Sequence, residues 1–220
     1  MDSVSSNQSN ASTQLGLFDA IKDLLFVNPI FLLGIILILI IIFKKDRKTP
    51  KLRTAITLLV FYYYLCVVMT NIVGIPTLSE YIRLSRLGES FFNPNINLIP
   101  FSDGFNLSFI LNIFLFVPFG FLCSLISKHY QCIKNTLLIG AGLSFSIEIV
   151  QLFTLYRATD INDLITNIVG ALIGYLCFKF IQKIIKTKSH SISDFNEQPY
   201  MRYMPIVVII TVFTLGFLIN

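Results

Sequence analysis

Charge is what this sequence has least of: Asp, Glu, Lys and Arg make up 13% of its 220 residues, against roughly 25% in an ordinary soluble domain. With 55% hydrophobic residues and a mean hydropathy of +0.75, that deficit excludes a soluble globular domain and points to a chain built for lipid. Histidine is also scarce. The two present, His129 and His190, fall in connections between apolar runs, so a histidine-based phosphatase or protease site within the bundle has no candidate residue. The four cysteines, Cys66, Cys123, Cys132 and Cys177, lack metal-type spacing, and three sit inside apolar runs. They read as small buried hydrophobes with reduced thiols. No Walker loop, GxSxG or HExxH pattern occurs, and no inverted repeat of the kind found in secondary transporters. The net charge of +5 comes from short basic clusters beside apolar runs rather than a patch interleaved with aromatics. A nucleic-acid partner is therefore not expected, and the basic residues are a topology signal.

What is present is a series of apolar runs, at 24–43, 55–75, 107–127, 135–155, 161–181 and 204–218. A helix needs about 20 residues to cross a hydrocarbon core, and the last run is near the lower limit. The expected fold is all-α, a polytopic integral membrane helical bundle of about six transmembrane helices, five if the last run does not cross. Residues 1–23 form a polar N-terminal tail without the basic start of a signal peptide, and 24–220 a single membrane domain; the first run is expected to be retained as an anchor. Lys and Arg number six in the first connection, two around Lys128 and Lys134, and five from Lys179 to Arg202. These are alternate connections. The remaining four, Lys22, Arg83, Arg86 and Arg157, lie on the other side. By the positive-inside rule the basic connections are cytoplasmic, and six spans leave both termini and the 76–106 connection outside.

Polar residues inside the runs are few and grouped. Glu148 and Gln151 lie on the fourth run; Asp160, Asp163 and Asn167 open the fifth. At about 100° per residue, Asp160, Asp163, Asn167, Gly170 and Gly174 fall on one helix face within roughly 80°, as do Ala141, Ser144, Glu148 and Gln151 on the preceding helix. A short turn at 156–159 holding Arg157 joins them, so the two polar faces are expected to meet near the external surface, with Asn112 of the third run entering the same layer. Two readings stand for each residue. Glu148 is a functional acid, since an intramembrane carboxylate is costly, or interhelical glue neutralised by Arg157. Asp160 and Asp163 belong to a site or start a helix, where acids favour the dipole and Asp160 would be the N-cap. Asn112 and Asn167 bind a ligand or bond across helices. The GxxxG step at Gly170 and Gly174 allows close helix contact, expected against the fourth run rather than between copies in an oligomer. Pro118 is expected to kink the third run.

The order of NLIPF at 97–101, NIFLFVPFG at 112–120, Glu148 with Gln151, then Arg157, Asp160, Asp163, Asn167, Gly170 and Gly174 resembles the VanZ-like family, with a matched core of about 97–181. The resemblance implies a multi-pass protein of the bacterial cytoplasmic membrane that confers low-level resistance to teicoplanin-type glycopeptides. Joined to the polar layer, it gives a leading expectation of a protein that binds a membrane lipid or lipid-linked cell-wall precursor in the outer leaflet through Asn112, Glu148, Gln151, Arg157, Asp160, Asp163 and Asn167. No cofactor is required. The alternative is an intramembrane hydrolase or transferase with Glu148 or Asp163 as general base, in which Asp160 and Asp163 hold a divalent cation through oxygen ligands.

Overall fold

The computed structural model describes residues 26–45, 51–92, 94, 96–101, 104, 107–154, 159–188 and 199–219. Seven α-helices occur among them: α1 (Leu32–Lys45), α2 (Lys51–Val67), α3 (Leu78–Leu87), α4 (Leu107–Ile126), α5 (Ile133–Gln151), α6 (Ile161–Lys188) and α7 (Met204–Phe217). Five helical stretches are long and apolar enough to cross a membrane, and Pro29–Lys44 is a shorter apolar one. The last run, near the lower length limit in the sequence, is among the five. A 3-10 turn at Pro199–Tyr203 runs into α7 and lengthens that span to 19 residues. The first helical turn is capped by Asn28, whose side chain accepts from the Ile30 amide at 3.0 Å, with Pro29 following. Proline suits this position because its missing N–H has no helical partner there.

α1, α2 and α7 pack around Ile38, Ile42, Leu58, Phe61, Val208 and Val212, all fully buried. α2 widens into a π-helical turn at Val68–Val73 and stops at Gly74, which takes a left-handed φ of 71°. The 76–106 connection that follows is partly ordered. Thr77 caps α3 by accepting from the Glu80 amide at 3.2 Å, and Gly88, with φ of 71°, ends it. This Thr-x-x-Glu start and glycine stop are the sequence signals of a short autonomous helix end to end. Its Leu84 is buried while Tyr81, Ile82 and Leu87 are exposed.

The other half of the bundle carries the polar layer. α4 and α6 form its most extensive helix pair, and glycine makes that contact so close. Gly170 faces the backbone of Ile113, Gly174 that of Val117 and Phe121, and Gly120 that of Ala171. The GxxxG step therefore packs against the third apolar run, which corrects the expectation that it would meet the fourth. α5 does approach α6, but through Gly140 against the Ala171 methyl. Both glycines of the step are buried inside the chain. Without a hydrophobic driving force between helices in lipid, this close packing and the polar contacts hold the trio together. Pro118 sits inside α4 without ending it. Large apolar side chains such as Phe114, Leu138, Phe145, Leu176 and Phe180 face outward, as a lipid-facing surface requires.

Candidate functional site

α4, α5 and α6 each bring a polar group to one end of this trio, beneath a two-residue parallel ladder. In it β1 (Ile96–Asn97) pairs with β2 (Thr159–Asp160), Ile96 opposite Thr159 and Asn97 opposite Asp160. The ladder draws the 97–101 segment over the start of α6. Phe101 then turns back with a φ of 59°, a left-handed conformation rare for a bulky residue. Its amide donates to Asn162 Oδ1 at 2.9 Å, and its ring meets Phe109 edge-on at 5.8 Å between centroids.

Below that cover three contacts cross the helices. Asn112 of α4 donates from Nδ2 to Asp163 Oδ1 of α6 at 2.7 Å. Asn167 of α6 donates from Nδ2 to Ser144 Oγ of α5 at 2.9 Å. Glu148 of α5 accepts at Oε2 from the backbone amide of Asp160 at 3.0 Å, while Thr159 Oγ1 donates to the Glu148 carbonyl at 3.1 Å. The structure thus brings together Asn112, Glu148, Asp160, Asp163 and Asn167, with Gln151 one turn beyond Glu148. Arg157 lies outside the described residues. Asp160 serves the helix start: its Oδ1 accepts from the Asn162 amide at 2.9 Å, the cap of α6.

Asn162, unmarked in the sequence, is 2% exposed and joins the cap to the covering segment through its amide and its Oδ1. It lies off the face shared by Asp160, Asp163 and Asn167, so helical periodicity gives it no mark. Glu148's partner was equally hidden, being a main-chain amide rather than a charged side chain.

The layer is rich in acceptors. Glu148, Gln151 and Asn167 are 5%, 6% and 4% exposed, yet Glu148 Oε1, Gln151 Oε1 and Asn167 Oδ1 have no hydrogen-bond partner among the described residues. Each buried acceptor left unpaired costs about 1–3 kcal/mol. Native structures seldom leave such groups together without a use. One oxygen each of Asp160 and Asp163 is committed, to the cap and to Asn112. Among the described residues no three His, Cys, Asp or Glu side chains group as a metal-ligand set.

Residues 31–182 match the family model described as VanZ/LLP1, more than half of the chain. The match takes in the first two apolar helices as well as the stretch whose motifs carry the resemblance. Among curated proteins the chain is similar to "Protein VanZ" from Enterococcus faecium, 31% identical over 100 residues. That alignment covers 45% of this chain and 62% of the relative, so the chain spans less than two thirds of the relative's length. No solved structure matches.

Proposed function

The chain belongs to the VanZ/LLP1 family, and from that membership we propose that it lowers the effect of teicoplanin-type lipoglycopeptides by binding an outer-leaflet lipid or lipid-linked cell-wall precursor. Family membership and the similarity to Protein VanZ support reading it as a VanZ-like membrane protein linked to glycopeptide resistance. Everything finer rests on the polar layer. The observation that carries the reading is the set of three buried oxygens, Glu148 Oε1, Gln151 Oε1 and Asn167 Oδ1, lacking a partner among the described residues. A bundle held together only by helix-to-helix hydrogen bonds gains nothing by leaving such acceptors open, because lipid offers them no donor. A ligand entering from the membrane surface does offer one.

In the proposed topology six spans cross the bacterial cytoplasmic membrane and both termini face outward. The basic connections are cytoplasmic, and α3 and the 97–101 segment lie in the outer leaflet. The polar layer then opens on the side where a lipoglycopeptide meets its target. The 76–106 connection supports a place at that surface: Leu98, Ile99 and Phe101 are exposed apolar side chains beside the site.

The test is expression of the chain in a susceptible bacterium, with teicoplanin tolerance and the membrane lipid profile measured together. Tolerance should rise several-fold while the lipid profile stays that of the parent strain. Raised tolerance with a new or depleted lipid species would establish turnover instead, and no rise at confirmed membrane expression would overturn the reading.

A further inference from the structure

Resting on the reading of this layer as a ligand site, we propose that the group it receives is a primary ammonium, as on an aminolipid headgroup. The layer's open positions define the chemistry. All three are acceptor oxygens, one from a carboxylate and two from amides. No Lys or Arg occurs on the described parts of α4, α5 or α6 at the level of the layer; among the described residues the charged side chains there are Glu148, Asp160 and Asp163, Arg157 lying outside them. To these described oxygens an anionic phosphate brings only acceptors and negative charge.

Hydroxyls offer one donor each but bring lone pairs that then face further oxygens. A guanidinium carries five N–H groups in a fixed plane, two more than the open acceptors. A primary ammonium carries three N–H donors and no acceptor. Its single positive charge offsets the Glu148 carboxylate, whose burial without a cation is costly in a membrane. Spacing agrees with this assignment. Ser144, to which Asn167 is bonded, stands one turn before Glu148 on α5, and Gln151 one turn after it. The Glu148 carboxylate thus stands between the positions of the two amides along α5.

The test uses purified full-length chain in nanodiscs, titrated with phosphatidylethanolamine and its mono-, di- and trimethylated analogues. Phosphate, acyl chains and positive charge are constant along this series while the N–H count falls from three to none. Binding should weaken at each methylation, and by at least about tenfold from the first to the last, given the strength of hydrogen bonds to charged groups. In Glu148→Gln the preference should collapse. Equal binding of ethanolamine and choline lipids by the wild-type chain would overturn the assignment, as would tighter binding of phosphatidylglycerol. Displacement of the aminolipid by soluble ethanolamine would place the ammonium on a free amine; no displacement would place it on a lipid. Loss of drug tolerance in Glu148→Gln alongside equal lipid binding would overturn the ammonium alone and leave the site's role standing. The methylation preference without any effect on tolerance would do the reverse.

Discussion

Gly170→Val and Gly174→Val should each remove most folded protein from the membrane, whereas Gly142→Ala should leave its amount unchanged or raise it. The first two positions are where α6 touches the backbone of α4. A side-chain carbon on Gly170 would fall on the Ile113 carbonyl and within 2.8 Å of Phe116 Cβ; one on Gly174 would fall on the Val117 carbonyl and within 2.8 Å of the Phe121 nitrogen. Main chain cannot rotate aside as a side-chain tip can, so the helices must separate. Overpacking ordinarily costs about 1–3 kcal/mol, and valine should exceed the upper end because it disrupts the most extensive helix pair among the described residues. At Gly142 nothing lies within 4 Å of the added carbon, and alanine is the better helix former by about 1 kcal/mol. Quantitative immunoblotting of membrane fractions and thermal unfolding in detergent check both outcomes.

Glu148→Gln should preserve the fold and reduce teicoplanin tolerance to that of cells lacking the chain. The glutamine carbonyl can still accept from the Asp160 amide, replacing the bond now made by Oε2, and a neutral amide is cheaper to bury than a carboxylate. What changes is the open oxygen. An amide nitrogen in the place of Oε1 puts a donor where the layer presents an acceptor, and the negative charge is gone. Drug susceptibility, normalised to membrane protein level, reads the effect. Full tolerance at wild-type abundance would show that Glu148 has no role in the site; disappearance of the protein would make it a structural brace.

The spans were legible because long apolar runs have few alternatives in a chain with so little charge. The end effects were not. Nothing in the pattern of 199–203 marks a 3-10 turn, yet that turn lengthens the last span. Most of the polar layer was visible because Glu148, Asp163 and Asn167 interrupt apolar runs at helical spacing. Their partners were not visible. Asp163 turns to Asn112 and Asn167 to Ser144, choices fixed by which helix each glycine lets approach. The GxxxG step records that one face must be close to something, and only the fold shows that α4 fills it. Asp160 had two readings from sequence, and its bond to the Asn162 amide gives it at least the cap. Asn162 itself depends on the path of 97–101, which returns to α6 from sixty residues away.

On the proposed topology the polar layer opens on the outer side of the membrane, where the drug acts. Cysteine labelling of intact cells with a membrane-impermeant maleimide tests it most directly. Leu98, exposed in the segment covering the layer, is the outer probe as Leu98→Cys in a Cys132→Ser, Cys177→Ser background; native Cys132, exposed at the opposite end of α5, is the inner probe in a Cys177→Ser background. Leu98→Cys should be labelled in intact cells, and Cys132 only after permeabilisation. Labelling of Cys132 in intact cells, with Leu98→Cys protected until the membrane is opened, would contradict it.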